Sequence, residues 1–302
     1  MNNYSLGERF QMRLLPSMYG IEFCVALVGN LFALWLLVTK ERKNWHTGVV
    51  LSCNLAISDL LYVLTLPLLI VYYTQKKNWP FGNATCKLER FLFTCNLYGS
   101  IFFIMCIGVN RYVAIVHPFF TRTHVRPAHA KAVSLIVWII LTAFSSPVLT
   151  FASTCQKGNV TYCVSHCETK SDENAHFNYK LFLALFGCFV PFLVTFASYS
   201  GVIWVVWRNS NITALEKRKV ALMVLSGIVL YAVSFLPYHV FQSYHFYLKK
   251  NGNFDRSIYE AYQVSKGLAT LNMCIHPLLY MAVFNSIRVA CCGKSQDDNV
   301  GL

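Results

Sequence analysis

Three polar residues stand alone inside long apolar runs. Asp59 interrupts the run 51–61, Arg111 sits in Asn110-Arg111-Tyr112, and His276 sits in Cys274-Ile275-His276-Pro277-Leu278-Leu279-Tyr280. An ionised side chain in hydrocarbon costs several kcal/mol, so such residues face a bundle interior or a watery cavity. A carboxylate, a guanidinium and an imidazole placed there can hold ions, exchange hydrogen bonds and switch partners. A second set mixes cations with rings: Arg90, Lys180, Lys249, Arg256 and Lys266 alternate along the chain with Phe93, Tyr98, Tyr238, His239 and Tyr262. Guanidinium and ammonium groups bind phosphate or carboxylate oxygens through charge-assisted hydrogen bonds. Aromatic faces stack on bases. This is the chemistry of recognising a small anion and changing shape, and no enzyme activity is expected from it.

Long apolar elements must position these groups. Of 302 residues, 56% are hydrophobic and only 13% charged, about half the charge of an ordinary soluble domain. Crossing a bilayer takes about 20 apolar residues. Seven runs qualify, over 16–38, 45–73, 85–117, 130–151, 179–207, 219–247 and 259–284. The fold class is therefore all-α: a seven-transmembrane-helix bundle with short loops, followed by a short amphipathic helix. One receptor-like domain fills 1–302, with an outer amino terminus over 1–15, the bundle over 16–284 and an inner helix and tail over 285–302. Pro67, Pro147, Pro191, Pro237 and Pro277 fall inside the second, fourth, fifth, sixth and seventh runs, and each removes a backbone hydrogen bond and kinks its helix.

Lys and Arg crowd both sides of the bundle, so the positive-inside rule barely orients it. Three glycosylation sequons, at Asn3, Asn83 and Asn159, fall on the amino-terminal side, which is read as extracellular. Asn211 falls on the opposite side and should stay bare. Of the 12 cysteines, Cys86, Cys155, Cys163 and Cys167 lie in or beside outer loops, where an oxidising exterior favours disulfides. Cys291 and Cys292 follow the last run beside Arg288 and Lys294, a setting suited to palmitoylation and to contact with membrane lipids.

Gly29-Asn30, Leu55-x-x-x-Asp59, Asn110-Arg111-Tyr112, Trp138, Pro191 with Tyr199, Phe235-x-Pro237 and His276-Pro277-x-x-Tyr280 come one set per helix and in order. In this the chain resembles the rhodopsin-like G protein-coupled receptors. The runs 88–100 and 110–119, with Pro237-Tyr238-His239-Val240 and Tyr262-Gln263-Val264-x-Lys266-Gly267, narrow the resemblance to the metabotropic purinergic receptors, most similar to the ATP-preferring subtype.

The resemblance implies an extracellular nucleotide ligand and coupling to G proteins of the Gq or Gs classes, with arrestin as a further partner. It places ligand contacts at Arg90, Phe93, Tyr98, Lys180, Tyr238, His239, Gln242, Arg256, Tyr262, Gln263 and Lys266. Its activation switch maps onto Asn110, Arg111, Tyr112, Tyr199, Phe235, Pro237, His276, Pro277 and Tyr280. It implies a sodium ion near Asp59, Ser100 and Asn272, although His276 stands where the family has Asn or Asp. It also implies a disulfide between Cys86 and Cys167, which leaves Cys155 and Cys163 as a second, local pair. Two departures stand out. Gln242 replaces a family Arg or Lys five residues after the sixth-helix proline, and the disulfide that ties the amino terminus to the third outer loop is missing. Both leave room for a less charged ligand, such as a dicarboxylate or an acidic lipid. A transporter or channel is the reading from another class, but no inverted repeat accompanies the intramembrane charges. No nucleic acid partner is expected.

Overall fold

The computed structural model describes residues 6–40, 46–167, 173–210 and 212–283. The chain runs as seven rods. The first is α1 (Leu6–Lys40). The second is α2 (Thr47–Val63) with α3 (Leu66–Thr74), and the third is α4 (Gly82–Val116). A short α5 (Pro118–His124) leads to the fourth rod, α6 (Pro127–Ser145) with α7 (Val148–Phe151). The fifth rod is α8 (Glu173–Ala184), a π-helical turn (Leu185–Phe189) and α9 (Val190–Arg208). The sixth is α10 (Ala214–Lys250) and the seventh α11 (Arg256–Val283).

Six of the rods are long and apolar enough to cross a membrane. The seventh spans the same distance but buries Ser265, Lys266, Thr270, Asn272 and His276 on its inner face. Side chains such as Ile21, Val28, Leu135, Leu193 and Trp204 point outward into what would be lipid. Inside, rings and branched chains from all seven rods interlock, among them Tyr62, Tyr98, Phe103, Leu141, Tyr231, Phe235 and Tyr280.

Helix bounds differ from the sequence reading at the first element. α1 already begins at Leu6, so much of the expected polar amino terminus is helix, and Pro16 sits within it. Two prolines break their rods as expected. At Pro67 the helix divides, and the Thr65 hydroxyl caps the Tyr62 carbonyl at 2.7 Å. At Pro147 the fourth rod divides into α6 and α7.

Pro191 acts differently. Having no N–H, it cannot bond the carbonyl four residues back, and the helix loosens into the π turn just before it. Within that turn the Cys188 carbonyl accepts from the Tyr231 hydroxyl of α10 at 2.9 Å. Gly187 in the same turn leaves the space that the Tyr98 ring fills; a Cβ there would collide with that ring.

In lipid there is little hydrophobic force between helices, so packing and interhelical hydrogen bonds of about 1 kcal/mol hold them together. Trp138 Nε1 donates to Asn54 Oδ1 at 2.9 Å, Asn30 Nδ2 donates to the Met273 carbonyl at 2.9 Å, and the Tyr179 hydroxyl donates to the Phe144 carbonyl at 2.7 Å. These bonds join α6 to α2, α1 to α11, and α8 to α6.

The all-α reading needs one addition. Between the fourth and fifth rods lies a β-hairpin, β1 (Ser153–Lys157) paired antiparallel with β2 (Val160–Val164). Its two-residue turn is Gly158-Asn159, and Gly158 takes φ 61°, the left-handed start that a hairpin of this length favours. The hairpin lies on α4, where the Asn83 side chain accepts from Thr154 N at 2.9 Å. Trp79 N donates to the Thr161 carbonyl at 2.7 Å.

The hairpin also corrects the disulfides. Cys86 pairs with Cys163, and Cys155 pairs with Cys167. Successive strand residues face opposite sides. Cys155 lies opposite Tyr162 and Cys163 opposite Thr154, so the two cysteines point to opposite faces of the ribbon and cannot join each other. Cys163 faces α4 and meets Cys86; Cys155 meets Cys167 on the other face.

Candidate functional site

Two buried polar regions lie along the bundle, one near the hairpin and one at mid-depth. Near the hairpin, α4 presents Arg90 and Phe93, α8 presents Lys180, α10 presents Tyr238, His239 and Gln242, and α11 presents Tyr262 and Lys266. Lys180 and Lys266 are buried. Lys266 Nζ stands 4.5 Å above the centre of the Phe93 ring, a cation–π contact that replaces part of its lost hydration. Lys266 lies within electrostatic reach of Arg90 and Lys180, so the three expected cations do converge.

The rings form a continuous wall. Phe93 meets Tyr238 edge-on at 6.0 Å, Tyr238 leans on Tyr262 at 5.7 Å, and Tyr98 lies against His239 at 5.6 Å. Gln242 is buried and donates from Nε2 to the hydroxyls of Tyr238 and Tyr262, at 2.7 and 3.3 Å. It therefore ties α10 to α11 at the point where the family would hold a cation. Above the wall an open cleft of about 940 Å³ is lined by His245, Lys249, Lys250 and Tyr259. His245 stacks on Tyr262 at 5.7 Å and joins the cleft to the wall.

Two expected contacts fall away from this cluster. Arg256 is half exposed and pairs with Glu260 one turn on, Nε to Oε1 at 3.0 Å. Gln263 is partly buried, without a polar bond among the described residues.

Two acids absent from the sequence reading lie among the cations. Glu89 is fully buried, and its Oε2 stands 3.3 Å from Arg90 Nε. The pair is close without hydrogen-bond alignment, because neither Glu89 oxygen nor Arg90 Nε has a hydrogen-bond partner. Glu22 of α1 is also fully buried and accepts from the Thr270 hydroxyl at 3.1 Å. The signal was available: each is an acid inside an apolar run, as Asp59 is. Arg90 is held from the other side by the hairpin, with Nη2 donating to the Cys163 carbonyl at 2.9 Å.

At mid-depth, Asp59 is fully buried and both its oxygens are engaged. Asn96 Nδ2 donates to Oδ1 at 2.9 Å, and His276 Nδ1 meets Oδ2 at 2.7 Å, where the N–H must be the donor. Asn96 is a further partner that the sequence reading did not assign to this site. Ser100 is buried without a bond to Asp59, and Asn272 turns its amide to the Ala269 carbonyl of its own helix at 3.3 Å. The imidazole thus occupies one of the carboxylate oxygens that a sodium ion would use, while Asn272 Oδ1 is buried without a hydrogen-bond partner. Among the described residues no cluster of three or more His, Cys, Asp or Glu could hold a metal.

A seven-rod bundle with a buried Asp59, an arginine toward the end opposite the hairpin and a proline within its seventh rod matches a known family model. The model described as 7 transmembrane receptor (rhodopsin family) matches residues 29–280. The chain belongs to the rhodopsin family of seven-transmembrane receptors. Within it the receptor is 40% identical to purinoceptor 11 of Homo sapiens, over 93% of this chain and 82% of that one. It is 35% identical to purinoceptor 1 of Gallus gallus, over 92% of this chain and 78% of the relative. The purinoceptor 1 of Homo sapiens is 33% identical over 92% and 76%. The receptor is thus a multi-pass plasma-membrane protein of the purinergic group and not an enzyme.

The receptor's far end carries the inner landmarks. Asn110, next to Arg111, bonds to the second rod: its Oδ1 accepts from the Thr47 hydroxyl at 2.5 Å. Among the described residues Arg111 has no hydrogen bond or ion pair, to Tyr199, Tyr280 or any other group. Tyr199 is buried with Val202, Val206 and Val224 in a cluster that draws α9 and α10 together, and Tyr112 packs against its edge. Phe235 is buried one turn from Tyr231, ring to ring at 5.1 Å, just before Pro237. Pro277 kinks α11 below His276, and the buried Tyr280 hydroxyl has no hydrogen-bond partner. Of the sequons, Asn83 and Asn159 are exposed at the hairpin end. Asn3, Cys291, Cys292 and the expected helix after the seventh rod lie outside the described residues.

Proposed function

We propose that the receptor binds an extracellular nucleotide such as ATP at the hairpin end, between α4, α8, α10 and α11, and activates a heterotrimeric G protein of the Gq or Gs class from the opposite end. The observation that carries this reading is the convergence of half-buried Arg90 with buried Lys180 and Lys266 beside an aromatic wall. Cations suit phosphates and rings suit a base. The names of the purinoceptor relatives support the same ligand class. The sequons at Asn83 and Asn159 support an orientation with the hairpin end outside and Arg111 inside.

Activation is a population shift, in which the ligand favours the arrangement whose inner side is open. Arg111, which has no hydrogen bond or ion pair among the described residues, would meet Tyr199 or Tyr280 once α9 and α10 part. The G protein, and arrestin after it, would dock at that opened end, and palmitoylated Cys291 and Cys292 would hold the adjoining tail on the inner leaflet. A sodium ion near Asp59, Ser100 and Asn272 would have to share the carboxylate with His276.

A second reading, a smaller anion such as a dicarboxylate or an acidic lipid, is favoured by Gln242 standing where a further cation would clamp phosphate. Transfected cells challenged with nucleoside tri-, di- and monophosphates, dicarboxylates and acidic lipids decide between the two, with calcium and cyclic AMP as readouts. Response to nucleotides at submicromolar to micromolar doses is expected. Response to the other acids alone would overturn the nucleotide reading.

A further inference from the structure

The hairpin-end cluster was expected to be purely cationic, and it is not. Three cations, the half-buried Arg90 and the buried Lys180 and Lys266, share the region with two buried acids, Glu22 and Glu89. Lys266 is within electrostatic reach of both acids as well as of Arg90 and Lys180. With all five ionised, the cluster is one charge positive rather than three.

The two acids differ in how they are held. Glu22 has one oxygen bonded to Thr270. Glu89 has neither oxygen hydrogen-bonded, although it has no exposed surface and lies 3.3 Å from Arg90. A buried carboxylate without hydrogen bonds is costly to keep. What offsets that cost here is attraction to the Arg90 guanidinium, the same group that an incoming anion needs. The Cys163 carbonyl already takes Arg90 Nη2, so Glu89 and the ligand compete for what remains of the fork.

We propose that Glu89 is a tethered competitor for the ligand's anion at Arg90 and Lys266, and that it sets how much negative charge the site accepts. A carboxylate on the same helix is at high effective concentration and never leaves. A ligand therefore binds by displacing it from the cations, and must tolerate it as a neighbour afterwards. Each further negative charge on the ligand adds attraction to the cations but also repulsion from Glu89. The site consequently gains less from extra phosphates than its cations alone would give. This rests on Arg90 and Lys266 forming an anion site, not on the anion being a nucleotide.

The test uses the purified full-length receptor in detergent, with inorganic tripolyphosphate, pyrophosphate and orthophosphate as probes and the thermal midpoint as the reading of occupancy. Glu89→Gln keeps the shape and removes the charge. It is expected to raise apparent affinity for tripolyphosphate about tenfold, in line with a hydrogen-bonded charge contact, with a smaller gain for pyrophosphate and the least for orthophosphate. Lys266→Gln added to Glu89→Gln should abolish the gain. Glu89→Asp, which draws the carboxylate back along the helix, should give an intermediate gain and serves if Glu89→Gln does not fold.

Unchanged affinity across the three probes, or no binding by any variant, overturns the proposal. Weaker binding in Glu89→Gln also overturns it, and would make Glu89 the seat of a cationic group on the ligand. The two hypotheses fail separately. A graded gain for inorganic phosphates with no cellular response to nucleotides would keep this proposal and remove the nucleotide. A nucleotide response that Glu89→Gln leaves untouched would do the reverse.

Discussion

Asp59 and Glu89 are both fully buried carboxylates in the same bundle, yet they are kept in opposite ways. Asp59 has a donor on each oxygen, from Asn96 and His276. Glu89 has an ion pair with Arg90 and no hydrogen bond at all. A buried acid that is fully bonded is part of the finished structure. One left unbonded, beside unpartnered polar atoms such as Gln242 Oε1 and the two ring nitrogens of His239, marks a place where something else completes the bonding. The contrast is between an acid held by two donors at mid-depth and one held by a cation alone near the hairpin.

The largest effect should come from breaking the finished centre. Asp59→Ala leaves the His276 imidazole and the Asn96 amide without their acceptor in the protein interior. Removing one partner of a buried pair costs about 3–5 kcal/mol. A marked fall in the thermal midpoint and in surface expression is expected, and normal values for both would show that the mid-depth pair is not structural.

Next come the receptive cations. Arg90→Ala or Lys266→Ala should shift the agonist dose-response at least tenfold with surface expression kept, since a desolvated charge contact is worth about 2–5 kcal/mol. Unchanged potency in both would erase the distinction between the two regions.

A third substitution sharpens the comparison by adding charge. Gln242→Arg restores a cation at the α10–α11 tie, at the loss of two hydrogen bonds from its amide. A hydrogen bond to a charged partner is worth about 1.5–3 kcal/mol, so triphosphates should gain about tenfold over nucleosides. A dose-response series from nucleoside to triphosphate checks this, and equal shifts along it would favour the smaller-anion reading.

The smallest effect belongs to Arg256→Ala. Its exposed pair with Glu260 is worth less than about 1 kcal/mol, and it lies away from the aromatic wall. Potency should stay within a few-fold of the parent. A tenfold loss would bring Arg256 into the site.

The helices were legible because bilayer-length apolar runs leave few alternatives, and the positions of Asp59, Arg111 and His276 followed from them. Lys266, Tyr238 and Tyr262 were legible as a group because family motifs mark their helices. Glu22 and Glu89 were missed because a search for anion-binding residues selects cations, and the balancing charge of a pocket emerges only when helices are brought together. Arg256 was over-read for the converse reason: its sign fitted, but Glu260 one turn away already held it. The disulfides could not be paired from spacing, since the choice depends on which face of a two-stranded ribbon each cysteine occupies. The partners of Asn110 were equally out of reach, because Thr47 lies 63 positions away in the chain.

The bond from Tyr231 to the Cys188 carbonyl has a bearing on the silent receptor. It spans the seam between the fifth and sixth rods, at the turn that Pro191 loosens. If α10 swings away from α9, that carbonyl loses its donor in a setting with no water to replace it. A neutral hydrogen bond of this kind is worth about 1 kcal/mol, or roughly a fivefold bias in an equilibrium. One phenol would therefore act as a small brake on spontaneous signalling, lowering background output.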